Sequence, residues 1–207
     1  MLKTKIQILG LIFATCFYYY GCSCSCGAEQ NVIIDDQFIK LPVKIRENAD
    51  RYLMSRTGSE FFDAFVTFDG SKTTFQEPLY RVEYIWLNSE KPDFTGTIVF
   101  FIDTAGTVSN LIEPEGIPLC NYTPEDCLFK ISAEEAKQKA LDAGIKTAER
   151  PLIAKFEWNP SKDRYLWSVV SILYESQGSQ GFRGNGQEAL IDPGTGDVIS
   201  IKDWKVN

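Results

Sequence analysis

From residue 64 onward, apolar and polar positions alternate with the period of two that predicts half-buried β-strands. Ala64-Phe65-Val66-Thr67-Phe68 runs into the turn residues Asp69-Gly70-Ser71-Lys72. Ala154-Lys155-Phe156-Glu157-Trp158 runs in the same way into Asn159-Pro160-Ser161-Lys162. Tyr80-Arg81-Val82-Glu83-Tyr84-Ile85 matches Tyr165-Leu166-Trp167-Ser168-Val169-Val170, and Phe101-Ile102-Asp103 through Val108 matches Leu190-Ile191-Asp192 through Val198. The matches keep the same order at offsets of about 90 residues, which predicts an internal duplication.

Each copy opens with a stretch of helical period. In the second, Ser132 with Glu135 forms a capping-box pattern, Ala136 and Ala140 fill the interior, and Gly144 closes the segment. In the first, Pro42 begins a segment to about Ser55 with Ile45, Ala49, Tyr52 and Leu53 on one face. The predicted fold class is therefore α+β: two tandem units, each a helix packed on an antiparallel sheet of about four strands. Unit 1 spans 41–112 and unit 2 spans 131–207. Between them, 113–130 carries Pro114, Pro118 and Pro124 and reads as a stiff linker.

The N-terminal end has a different pattern. Lys3 and Lys5 precede an uncharged, largely apolar run from Ile6 to Gly21, and no acidic residue appears before Glu29. This is the plan of a secretory signal, and the run falls short of the roughly 20 residues of a membrane-spanning helix. Gly21-Cys22 at its end resembles the lipobox of bacterial lipoproteins, in which the cysteine receives a diacylglycerol. The resemblance implies a signal peptide over 1–21, lipidation at Cys22 and a tether over 22–40. It also implies a protein exported to the cell envelope and anchored there, in the outer membrane of a Gram-negative bacterium. Tyr19 stands where the family prefers Leu, Val or Ile. Cys24 and Cys26, each after a serine, compete with Cys22, and Cys16 follows a threonine. The alternative is an ordinary signal peptide or an uncleaved anchor.

Export changes the reading of the remaining cysteines. Cys120 and Cys127, with turn-forming residues between them, predict a disulfide in an oxidising compartment. The whole chain carries 21 basic and 28 acidic residues, and loss of 1–21 removes two lysines and no acid. Such an acidic surface repels phosphate backbones and disfavours nucleic acid as a partner. The chain contains no histidine, the commonest general base and zinc ligand. No metal site, cofactor or catalytic residue is expected, and the protein reads as a non-enzyme.

Unit 2 resembles the PepSY domain. The residues that carry the likeness are Ile131-Ser132-Ala133-Glu134-Glu135-Ala136, Tyr165-Leu166-Trp167-Ser168-Val169 and the ending Ala189-Leu190-Ile191-Asp192-Pro193-Gly194-Thr195-Gly196-Asp197-Val198. Unit 1 looks like a diverged copy that keeps Asp103, Gly106 and Val108. The family has no catalytic residues to transfer. The resemblance implies a protein partner, with a regulatory or inhibitory role toward a secreted peptidase.

Several side chains are candidates for a site. Tyr84, Trp86 and Trp167 lie among strand aromatics that either pack under the helices or meet a partner. Phe182 and Arg183 sit in the glycine-punctuated stretch 176–186, which reads as a long hairpin tip rather than a phosphate cradle, since strands flank it on both sides. Asp103 with Gly106 and Asp192 with Gly196 read as turn-building pairs. A calcium reading of Asp192 and Asp197 lacks the spacing of an EF-hand. Asp103-Thr104-Ala105 and Asn121-Tyr122-Thr123 fit short glycosylation signals. The functional expectation is a membrane-anchored binding module; the alternative is a structural envelope lipoprotein without a dedicated ligand. Exchanging Cys22 for alanine is expected to move the protein from the membrane to the soluble fraction, and retention in membranes would refute lipidation at that sulfur.

Overall fold

In the first half, four consecutive buried positions spaced by four residues explain helix α1 (Val43–Thr57), whose Ile45, Ala49, Leu53 and Thr57 face inward. The computed structural model describes residues 41–178 and 181–206; the signal segment, Cys22 and the tether lie outside them. Gly58, at φ +80°, ends α1, and a second helix, α2 (Ser59–Phe65), follows at once. Ala64 and Phe65, read from alternation as the start of a strand, are helical. Phe61 lies edge-on to Phe65 and against Trp86, and Phe62 reaches Tyr84, an arrangement that needs the helical i, i+4 spacing.

Strands β1 (Val66–Phe68), β2 (Thr74–Gln76), β3 (Leu79–Leu87) and β4 (Thr95–Asp103) form an antiparallel sheet. β1 and β2 share one edge of β3, pairing with its two ends, while β4 runs along the other edge over the whole length. The outer side of β4 meets only isolated bridges, Ile102 with Val108 and Val99 with Glu115.

The second half follows the same order with longer strands. Helix α3 (Ala133–Asp142) begins at Ser132, whose side chain accepts from the Glu135 N–H while Glu135 accepts from the Ser132 N–H. That pairing holds the Glu135 carboxyl below its usual range. Ala136 and Ala140 are fully buried, small enough for α3 to lie close on the sheet. The sheet runs β5 (Ile153–Asn159), β6 (Arg164–Gly178), β7 (Gly181–Ile191), β8 (Val198–Val206), all antiparallel neighbours. The fold is thus α+β with two antiparallel four-stranded sheets, two helices accompanying the first and one the second. The two sheets share one feature of register. Ile191 pairs with Val198 across the second turn as Ile102 pairs with Val108 across the first, so the strand corresponding to β8 is reduced to single bridges in the first half.

Both halves close on one core. Phe156 of β5 contacts Trp86 of β3, Phe94, Phe129, and Tyr165 and Trp167 of β6, with ring centroids 5.0–5.8 Å apart. The segment read as a linker contributes Ile117 and Phe129 to this core. Tyr165 donates its hydroxyl to the Gly116 carbonyl at 3.0 Å, with the Thr97 carbonyl at 3.3 Å. Trp86 Nε1 finds no hydrogen-bond partner among these rings. The described residues accordingly belong to one compact unit.

Gly96 marks how closely the halves approach. A Cβ there would lie 2.2 Å from the Tyr165 hydroxyl and 2.4 Å from Trp86 Nε1. Overfilling a packed core costs about 1–3 kcal/mol. Gly96→Ala is therefore expected to lower the urea unfolding free energy by about that amount, and unchanged stability would contradict this packing.

Candidate partner-binding surface

The strand aromatics singled out for binding are inside the protein. Tyr84 and Trp86 are 0% exposed and Trp167 is 2% exposed, which corrects their assignment as partner contacts. Tyr84 lies among α1, α2 and β1, donating to Asp50 of α1 at 2.6 Å while Arg46 of α1 pairs with the same carboxylate at 2.9 Å. Burial pushes the Tyr84 phenol above its usual range, and the hydrogen bond and charge of Asp50 push it the same way. Trp86 stacks on Phe129 at 5.2 Å and meets Tyr165 edge-on at 5.0 Å. Trp167 donates its indole N–H to the Ile131 carbonyl at 2.7 Å, tying β6 to the entry of α3. Burial of the aromatic bodies in the shared core wins over display to a partner.

The turn residues have local partners. One oxygen of Asp103 accepts from the N–H groups of Ala105 and Thr107 at 2.9 and 2.8 Å, and Gly106 takes φ +88°. Asp192 accepts from Gly194 and Thr195 at 2.7 and 2.9 Å, and Gly196 takes φ +79°. The other oxygen of Asp192 binds Arg164, whose guanidinium also pairs with Asp126 at 3.0 Å. Arg164, absent from the sequence-based candidates, therefore fastens the short 3₁₀ turn Pro124–Cys127 to the closing turn of the second sheet. Cys120 and Cys127 are joined in a disulfide around that turn. Among the described residues, no group of three or more His, Cys, Asp or Glu side chains could hold a metal ion.

One group of exposed apolar side chains lies at the far end of the second sheet. β5 pairs with β6 only as far as Val170, whereas the β6–β7 ladder continues to Gly178 and Gly181. The hairpin thus projects past β5, with an irregularity between Ile172 and Tyr174. On the projection Tyr174 is 57% exposed and Phe182 44%, and Val206 of β8 is exposed beside them. A groove of about 360 Å³ runs between Tyr174, Arg183, Asn185, Lys205 and Val206. Tyr174 also borders a groove on its other side with Arg150 and Glu175, which pair with each other.

Arg183 thus lines the groove beside Tyr174, Phe182 is exposed on the other face of the same hairpin, and Tyr84, Trp86 and Trp167 lie elsewhere, in the interior. Tyr174, Lys205 and Val206 were missed as site residues because nothing in the sequence marks where β5 stops short of β6. Ile85 and Leu87 are also exposed, on the outer face of the first sheet. Among the described residues, no helix is long and apolar enough to cross a membrane.

No family model matches the chain, and no curated protein matches it. Among solved structures, the Bacillus megaterium YpeB C-terminal domain is similar at 15% identity, covering 79% of this chain and 65% of that one. The chain thus spans just under two thirds of that neighbour's length. The TM-score of 0.23 is too low for this likeness to carry an argument about fold or function.

Proposed function

We propose that this chain is an exported, non-catalytic envelope protein, anchored through a lipid on Cys22, that binds a protein partner through the projecting end of its second sheet. In this reading the two halves are PepSY-like, and the partner is a secreted peptidase whose activity the protein inhibits or regulates. The observation that carries the reading is the exposure of Tyr174 and Val206 beside Arg183 and Lys205 along one groove, with Phe182 exposed on the other face of a hairpin that overshoots its neighbour. Exposed tyrosine and phenylalanine with an arginine nearby are residue types that protein interfaces favour. The peptidase and the PepSY assignment rest on the sequence motifs of the second half.

The absence of histidine from the sequence supports the non-catalytic part of the reading, because it removes the usual activator of serine and cysteine nucleophiles. The test uses the Cys22→Ala chain, immobilised and exposed to envelope extract. It is expected to retain one saturable protein partner, which a Tyr174→Ala/Phe182→Ala variant of unchanged circular dichroism loses at least tenfold. Failure to retain any partner would leave a structural envelope component as the function, and equal retention by the variant would refute the hairpin end as the contact.

A further inference from the structure

A second cleft lies at the opposite end of the protein, between the C-terminal end of α1, the segment after Glu113 and the β5–β6 turn. Its volume is about 180 Å³, below the roughly 300–1,000 Å³ usual for drug-sized ligands. Trp158, Ile117 and Leu119 give it apolar walls. Arg56 enters it with its guanidinium 5.4 Å from the Tyr52 ring and 5.9 Å from the Tyr122 ring. Among the described residues that guanidinium has no ion pair and donates no hydrogen bond. Glu113 and Asp163 line the same cleft, yet neither pairs with Arg56.

The backbone around Arg56 is held in place. The Asn121 N–H donates to the Arg56 carbonyl at 3.1 Å, and the Asn121 side chain donates to the Ser55 carbonyl at 3.1 Å. The disulfide between Cys120 and Cys127 closes the loop that carries Tyr122. The guanidinium is therefore presented by two aromatic rings and a braced loop, with its donors unused.

The charges narrow the ligand. A flat guanidinium with free donors matches one carboxylate in a two-pronged hydrogen bond. A phosphate, with its higher charge, would be repelled by Glu113 and Asp163. Those carboxylates instead suit an ammonium group close to the ligand's own carboxylate, and the apolar walls suit a hydrocarbon side chain. We propose that the cleft binds a free apolar α-amino acid, its carboxylate on Arg56, its ammonium toward Glu113 and Asp163, and its side chain against Trp158, Ile117 and Leu119. A residue within a peptide lacks at least one of the two charges and is excluded on that ground.

The site is separate from the hairpin end, and its failure would leave the partner-binding reading untouched. The test titrates the purified chain with L-leucine, N-acetyl-L-leucine and L-leucinamide, read by calorimetry. Saturable binding of L-leucine is expected, with each blocked form at least tenfold weaker. Arg56→Gln is expected to weaken L-leucine at least tenfold, and Arg56→Lys, which keeps the charge without the flat fork, to fall between. The thermal unfolding midpoint of each variant checks its folding. Equal affinity for a blocked form, an unchanged affinity in Arg56→Gln, or no saturable binding of L-leucine would each overturn the proposal.

Discussion

Phe156 touches five other aromatic rings, drawn from both sheets and from the segment that joins them, and the arrangement of the molecule depends on that contact. Its ring stacks on Tyr165 and meets Trp86, Phe94 and Phe129 edge-on. Each such pair contributes about 0.5–1.5 kcal/mol beyond the area it buries. The helix-bearing faces of the two sheets are completed at the junction by each other's rings. Gly96 and Gly116 then become necessary, since side chains there would collide with Tyr165 or with the Thr97 carbonyl.

This core decides what the surface can offer. Trp86 and Trp167 are consumed at the junction of the halves and Tyr84 within the first half, so a partner must be met elsewhere. The two sheets are unequal in a way that creates such a place. In the first half the outer strand has shrunk to bridges, whereas in the second β6, β7 and β8 extend past the edge of β5. The overhang carries aromatic and cationic side chains that no helix among the described residues covers. At the other end, the junction leaves a cleft in which a guanidinium sits between two rings with its donors unused.

The parts of this structure legible in the sequence are those set by neighbours along the chain. Alternation around Val82, Tyr84 and Trp86 marks a strand with one buried face. Ser132 with Glu135 marks the start of a helix, and the spacing of Cys120 and Cys127 suits a bridge. Contacts between distant segments were not legible. Phe94 and Phe129 stand in stretches that look like loop and linker, and only the docking of the sheets puts them in the core. Phe61, Phe62 and Phe65 fit a strand or a helix equally until Tyr84 and Trp86 lie beneath them. Arg164 is polar in a strand, and its meaning comes from Asp126 and Asp192, which approach it from separate turns. For the binding surface, the hairpin tip was visible from its glycines, but its projection depends on where β5 ends.

If the aromatic junction governs the fold, the two halves cannot melt independently. Differential scanning calorimetry of the oxidised protein tests this directly. The account predicts a single endotherm for residues 41–206, with a calorimetric enthalpy equal to the van't Hoff enthalpy. Two resolved transitions, one for each sheet, would contradict it.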